Sequence, residues 1–98
     1  MPADADRAWL ALSGRSRVDL LHALISREAA TAAELMDATG QTKPTLHSAL
    51  RVLRELGYVT VEGIADRSVG GPVRYTADVV RLKADFERLA EHLFMGRQ

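Results

Sequence analysis

The sequence predicts an α+β fold that is mostly helical, and three observations lead to that prediction. Apolar residues recur three and four positions apart through most of the chain, as they do in amphipathic helices. Two short runs rich in β-branched residues and tyrosine, 58–61 and 73–76, alternate as strands do. An apolar repeat over 78–95 indicates a long final helix. The 98 residues are expected to form a single domain, 1–98.

Composition excludes several classes of protein. An apolar fraction of 47% is ordinary for a globular chain. The absence of cysteine excludes disulfides, thiolate metal sites and thiol redox sensing. No apolar run approaches membrane-spanning length and 1–12 does not resemble a signal peptide, so a cytoplasmic location is expected. No nucleophile is paired with a base and no glycine-rich phosphate loop follows a strand, so neither enzymatic activity nor a cofactor is expected.

Two helices are expected in the first part of the chain. A short helix within 1–14 carries the apolar patch 9–12, which needs the final helix or a second chain as its partner. A core helix is predicted over 16–27, with Ser16 and an aspartate three residues later as a capping box at its start. Its expected core residues are Val18, Leu21, Leu24 and Ile25. Arg17 at its amino end is expected to be either solvated or in contact with phosphate.

The functional interpretation depends on residues 31–57, which we call the helix pair. Two short helices are predicted there, separated by a turn at Gly40. Thr31, with a glutamate three residues later, is the expected N-cap of the first helix, and Thr42 is the expected N-cap of the second. Pro44 lies in the first turn of the second helix, where its missing N–H costs little. The arrangement predicted is a helix-turn-helix.

The second helix of the pair has two different faces. The expected buried face consists of Leu46, Ala49, Leu50 and Leu53. The opposite face is polar and cationic, and consists of Lys43, Thr45, His47, Ser48 and Arg51. A helix of this kind can pack on a body and enter the major groove of double-stranded DNA. These five residues, with Thr42 at the start of the helix, are the predicted DNA contacts on the helix pair.

A β-hairpin wing, 58–76, is predicted directly after the helix pair. Its two strands are the runs named above, and a glycine-rich loop joins them. Arg67 near the tip and Arg74 on the returning strand are predicted to reach a minor groove or flanking phosphates. The alternative is a solvated hairpin. A helix-turn-helix followed by a two-stranded wing defines a winged helix-turn-helix.

The final helix, predicted over 78–95, has a seam suited to packing against a second helix. Val79, Leu82, Phe86, Leu89 and Leu93 are spaced three, four, three and four residues apart. With Trp9 of the first helix, these residues are the predicted homodimer interface. The alternative is that part of the stripe packs on the first helices of its own chain.

The net charge of zero counts against the simplest form of nucleic-acid binding, because DNA-binding domains are usually basic. The charged residues over 41–59 are Lys43, Arg51, Arg54 and Glu55, whereas those over 28–39 are Glu28, Glu34 and Asp37. The field is therefore expected to be dipolar, with its positive end at the predicted DNA-binding helix. A winged-helix module that docks a protein and not DNA is the alternative function, and neutrality favours it.

Two segments of the chain resemble the ArsR/SmtB family of winged helix-turn-helix repressors. LSGRSRVDLLHAL, residues 12–24, resembles the opening helix of that family, and ELMDATGQTKPTLHSALRVLRELGYV, residues 34–59, resembles its helix-turn-helix. GGPVRY, residues 70–75, also resembles the wings of MarR- and PadR-like repressors. The resemblance implies a homodimeric repressor on a pseudo-palindromic operator, with contacts from the same polar helix face.

The resemblance does not extend to metal sensing. Metal-sensing members carry paired cysteines where this chain has Thr31 and Ala33. The acids and His92 of the final helix do not reproduce the ligand spacing of the other family site, so no metal is expected. Whether a small-molecule effector exists is left open by the sequence.

Overall fold

Five helices and three short strands make up the part of the chain that the structure, a computed structural model, describes: residues 1–62 and 73–95. In chain order they are α1 (Ala3–Leu12), α2 (Arg15–Ile25), β1 (Ala30–Thr31), α3 (Ala32–Thr39), α4 (Lys43–Glu55), β2 (Val59–Glu62), β3 (Arg74–Ala77) and α5 (Val79–Met95). The prediction of an α+β fold that is mostly helical, with strands directly after a helix-turn-helix, is confirmed.

The sheet has one more strand than the sequence predicted. Strand β3 lies in the middle and pairs antiparallel with both neighbours, in the order β1-β3-β2. Ala30 of β1 and Val61 of β2 both lie opposite Tyr75 of β3. The two-stranded prediction was incomplete because β1 is two residues long, too short to show the alternation by which a strand is detected.

The helix pair, α3 and α4, has the predicted N-caps and the predicted turn. The hydroxyl of Thr31 accepts from the N–H of Glu34 at 3.2 Å, and the N–H of Thr31 donates to Oε1 of Glu34 at 2.8 Å. This is a complete capping box. Gly40 follows α3 with φ of 72°, a left-handed conformation that a side chain would disfavour. Thr42 caps α4 by accepting from the N–H of Thr45 at 3.4 Å.

Replacing Thr31 with alanine is expected to lower the free energy of unfolding by about 1 kcal/mol, because the capping acceptor for Glu34 is lost. The hydrogen bond from the backbone of Thr31 lowers the pKa of Glu34 below its ordinary 4.5. Because the folded-state pKa is the lower one, the ionised carboxylate of Glu34 stabilises the fold. Its contribution is complete above pH 4.5 and is lost as the pH falls through the folded-state pKa. Urea unfolding at neutral and acid pH measures both effects. Equal stability of Thr31→Ala and wild type at neutral pH contradicts the prediction.

Helix α2 begins one residue earlier than predicted, and Ser16 does not cap it. Gly14 occupies the N-cap position and provides no side-chain acceptor. Arg17 donates from Nε to the carbonyl oxygen of Leu10 at 3.0 Å and from Nη2 to Oγ of Ser13 at 3.2 Å, so its guanidinium closes the end of α1. The buried face of α2 consists of Leu20, Leu21, Ala23 and Leu24. Val18 and Ile25, predicted in the core, lie seven residues apart on one exposed edge of the helix.

The core lies between α2, α3, α4 and the sheet. Its largest fully buried side chains are Leu20, Leu24, Leu35, Leu46, Leu50, Leu53 and Tyr58. Leu82 of α5 is also buried in this cluster. We therefore remove Leu82 from the predicted dimer interface, since its surface is already used within the chain. The spacing of an apolar stripe does not distinguish contact with the same chain from contact with a second one.

Helices α1 and α5 lie side by side and antiparallel, joined by ion pairs. Arg7 lies 3.2 Å from Asp85, and Asp4 lies 3.3 Å from Arg88. Asp85 also accepts a hydrogen bond from the hydroxyl of Tyr58 at 2.7 Å. The contact with Tyr58 joins this helix layer to the residues that follow α4.

Alkaline pH is expected to weaken the fold through Tyr58. Burial, followed by the hydrogen bond to Asp85, raises the pKa of Tyr58 above its ordinary value of 10.0. Because the folded-state pKa is the higher one, the stabilising contribution is complete below pH 10.0 and is lost as the pH rises further. Above that pH we expect the free energy of unfolding to fall more steeply for wild type than for Tyr58→Phe. Parallel curves from urea unfolding contradict this.

Candidate nucleic-acid interface

The predicted DNA contacts on the helix pair lie on one exposed side of α4. Lys43, Thr45, His47, Ser48 and Arg51 are all exposed, and we call them the α4 face. Behind them Leu46, Leu50 and Leu53 are almost fully buried. With 3.6 residues per turn, burial of these leucines determines which side chains point outward. The core therefore fixes the orientation of the α4 face.

Thr42 and Thr45 form a hydroxyl pair at the start of α4. Thr42 Oγ1 accepts the backbone N–H of Thr45 and donates its own proton to Thr45 Oγ1 at 3.0 Å. The hydroxyl of Thr42 is therefore engaged in capping. Thr45 is exposed and its hydroxyl keeps its own proton, which can rotate toward a phosphate or a base edge.

Two grooves flank α4. The groove toward the wing has a volume of about 560 Å³ and is lined by Arg51, Arg54, Glu55, Val59, Thr60 and Val61. The groove toward α2 has a volume of about 290 Å³ and is lined by Ser16, Arg17, Pro44, Thr45, Ser48 and Ala49. The first places two arginines beside a strand, and the second contains three hydroxyl side chains and one arginine. Each groove is a channel beside α4 in which the phosphate backbone of a nucleic acid can lie.

Arg54 is a cation of this surface that the sequence-based site did not include. It lies eleven residues after Lys43, which is about three turns, so both side chains emerge on the same side of α4. This spacing of eleven residues is visible in the sequence and is the signal by which Arg54 could have been included in the predicted site. Among residues 1–62 and 73–95, no acid lies within 4.0 Å of the charged groups of Lys43, Arg51 or Arg54. These three cations are therefore available to an anionic partner.

Of the two predicted wing contacts, Arg67 and Arg74, the structure describes Arg74. Arg67 lies outside the described residues. Arg74 lies at the start of β3, opposite Thr31, and its Nη1 is 3.9 Å from Oε1 of Glu34. Both side chains of this pair are about half exposed, and exposed pairs contribute only about 0–1 kcal/mol. A phosphate group can displace such a weak partner.

Two other kinds of site are absent from the described part of the chain. No three histidine, aspartate or glutamate side chains there converge closely enough to hold a metal ion. No helix there has both the length and the hydropathy needed to cross a bilayer. The α4 face and its two grooves are therefore the candidate functional site.

Comparison with known proteins gives the following matches. The MarR family model matches residues 12–67, a segment that contains α2, α3, α4 and β2 complete. The transcriptional repressor BigR from Xylella fastidiosa is 22% identical, with 93% of this chain and 86% of that chain covered and a TM-score of 0.68. An ArsR-family transcriptional regulator is also 22% identical, with 100% and 97% covered and a TM-score of 0.70. At this identity the solved structures show a shared fold. No curated protein sequence matches the chain.

Proposed function

Because the chain belongs to the MarR family of winged helix-turn-helix transcriptional regulators, we propose that it is a repressor that binds a pseudo-palindromic DNA operator as a homodimer. The prediction of a winged helix-turn-helix regulator is confirmed at the level of family and fold. The repressor role draws support from the description of BigR as a transcriptional repressor. A cytoplasmic location, predicted from the sequence, is part of this proposal.

The observation that carries the proposal is the α4 face, which is exposed, polar and cationic. In the proposal α4 is the recognition helix and enters the major groove. Lys43 and Arg51 have the length to donate to O6 and N7 of guanine or to phosphate. Thr45 and Ser48 suit phosphate oxygens or base edges, and His47 suits either. In the proposal Arg54 and Thr60, which both line the wing-side groove, contact the flanking DNA backbone.

Exposed apolar side chains on α1 and α5 support the dimer. Trp9 is 51% exposed, Phe86 is 50% exposed and Leu93 is 67% exposed. Val79 is also exposed, and Leu89 is half-buried. Apolar patches of this kind on a soluble domain usually mark an interaction site. In the proposed dimer a second copy covers these side chains, and the two recognition helices lie about 34 Å apart, one turn of DNA.

Selection of genomic DNA fragments with purified protein tests the proposal, with sedimentation to establish the oligomeric state. We expect a dimer that enriches fragments with two related half-sites, centred about 10–10.5 base pairs apart or a multiple of this spacing. Affinity should fall steeply with salt, with a slope of about 0.9 for each phosphate neutralised. Because the net charge is zero, affinity for unrelated duplexes should be weak.

A failure to enrich any DNA fragment at low salt and micromolar protein contradicts the proposal. That result favours the alternative, in which the winged helix docks another protein, and the neutral net charge is the observation on its side.

A further inference from the structure

Tyr58 connects two helices through three hydrogen bonds. It follows Gly57, at which the chain leaves α4 with a positive φ of 86°. Its N–H donates to the carbonyl oxygen of Leu53 in α4 at 2.9 Å. Its carbonyl oxygen accepts from the N–H of Asp78, directly before α5, at 2.8 Å. Its hydroxyl donates to Oδ2 of Asp85, within α5, at 2.7 Å.

The two contacts with α5 lie far enough apart to fix an angle. Asp78 and Asp85 are seven residues apart, which is about two turns or 10 Å along the helix. Together with the burial of Leu82 in the core, these two contacts from one residue restrain both the position and the tilt of α5. Tyr58 thus ties the end of α4 to α5 in one orientation.

Asp85 extends this link to α1. Arg7 donates to its carboxylate from Nε at 3.2 Å and from Nη2 at 3.5 Å. Asp85 is only 5% exposed, and it is the one buried charged residue in the described part of the chain. Burial of a carboxylate costs desolvation energy, and a well-packed apolar group at such a site often gives equal stability. The Asp85 carboxylate instead accepts from Arg7 on α1 and from the Tyr58 hydroxyl, two directional contacts that give the arrangement a defined geometry.

We propose that the Tyr58 hydroxyl is a positioning group that sets the separation of the two recognition helices in the dimer, by fixing α4 against the layer formed by α1 and α5. This inference rests on the proposed function, in which α1 and α5 meet the partner subunit and α4 meets DNA. Twofold symmetry repeats any change in the angle between α4 and α5 in both subunits. An operator with fixed half-site spacing is sensitive to that change.

Tyr58→Phe in the full chain tests the inference, because it removes the hydroxyl and keeps the ring. Tyr75→Phe is the matched control, since Tyr75 is a buried tyrosine on β3. Within residues 1–62 and 73–95 the hydroxyl contact with Asp85 of α5 is made by Tyr58 and not by Tyr75. The chain has no cysteine, so Asp37→Cys on the exposed side of α3 accepts one nitroxide label per protomer. Pulsed electron paramagnetic resonance then gives the distance between the two helix pairs. Operator binding and binding to an unrelated duplex are measured alongside.

We expect Tyr58→Phe to remain dimeric and to lose about tenfold in operator affinity, the scale of one hydrogen bond to a charged group. The label distance should shift or its distribution should broaden, while affinity for the unrelated duplex changes less than about twofold because such binding needs no fixed spacing. Tyr75→Phe should match wild type in all of these. Unchanged operator affinity and label distance in Tyr58→Phe overturn the inference, even if its thermal stability falls.

A second variant covers the case in which Tyr58→Phe does not fold. Arg7→Gln removes the outer partner of Asp85 and should change the label distance and operator affinity in the same direction. Arg88→Gln is its control, since Arg88 joins the same two helices through an exposed pair with Asp4. If wild type is dimeric but selects no DNA, the proposed function is contradicted. The inference is then still tested by the change in label distance between wild type and Tyr58→Phe. If wild type is monomeric, both the proposed function and the inference are contradicted.

Discussion

Replacing Arg51 with alanine is expected to weaken operator binding by about 1–3 kcal/mol, which is roughly 5- to 150-fold. Arg51 is exposed at the carboxy-terminal end of the α4 face and lines the wing-side groove. Its guanidinium has no acid within 4.0 Å among the residues described, so its donors are available to a guanine or a phosphate. Lys43→Ala should weaken binding in the same direction. Titration of labelled operator at fixed salt measures both.

Two further measurements make the Arg51 prediction specific. Arg88→Ala on α5 removes the same charge from an exposed position away from α4, and it should leave operator affinity within about twofold of wild type. Loss of a phosphate contact should reduce the salt slope by about one, whereas loss of a base contact should relax sequence preference at one position. Wild-type affinity in both Arg51→Ala and Lys43→Ala contradicts the assignment of α4 as the recognition helix.

Replacing Leu50 with alanine is expected to lower the free energy of unfolding by about 2–5 kcal/mol. Leu50 is only 2% exposed and packs in the core that anchors α4. Its removal loses apolar burial and leaves a cavity that the surrounding side chains fill only in part. This is a large fraction of the roughly 5–15 kcal/mol that stabilises an ordinary domain. Urea unfolding should show a lower midpoint with an unchanged slope.

The control for this prediction is Val80→Ala on α5. Val80 is 81% exposed, so its truncation should change stability by less than about 0.5 kcal/mol. A loss below about 1 kcal/mol in Leu50→Ala would mean that α4 is anchored by something other than its leucine face.

Local chemistry accounts for the parts of the fold that the sequence predicted well. Thr31 and Thr42 cap the two helices of the pair, and Gly40 provides the left-handed residue between them. Each signal acts within about four residues of itself, so no knowledge of the tertiary structure is needed to detect it. The buried leucines of α4 were predicted for a similar reason, since one helix period separates inside from outside.

The features that the sequence did not predict depend on contacts between distant residues. Arg7 and Asp85 are 78 residues apart in the chain, and Tyr58 and Asp85 are 27 apart, so no periodic pattern joins them. Strand β1 exists because β3 pairs with it. Leu82 fitted the apolar stripe of a dimer helix, yet its burial depends on how α5 packs against its own core.

The exposure of the proposed site residues followed from the sequence, whereas the contacts that surround them did not. The five residues of the α4 face followed from the helix period, and all five are exposed. Arg54 shares the side of α4 that carries Lys43, a spacing that the sequence shows, whereas the groove that β2 forms beside it depends on the tertiary structure. The ion pair of Arg74 with Glu34 depends on the pairing of β3 with β1, which the sequence did not indicate.

Nuclear magnetic resonance of the isotope-labelled protein during titration with the selected operator shows directly which helix meets DNA. We expect the largest amide shifts in α4 over residues 43–51 and in the adjoining grooves, and little change in most of α5. Large shifts along α5 with α4 unchanged would contradict this expectation, because the surface that binds DNA would then lie on the opposite helix layer.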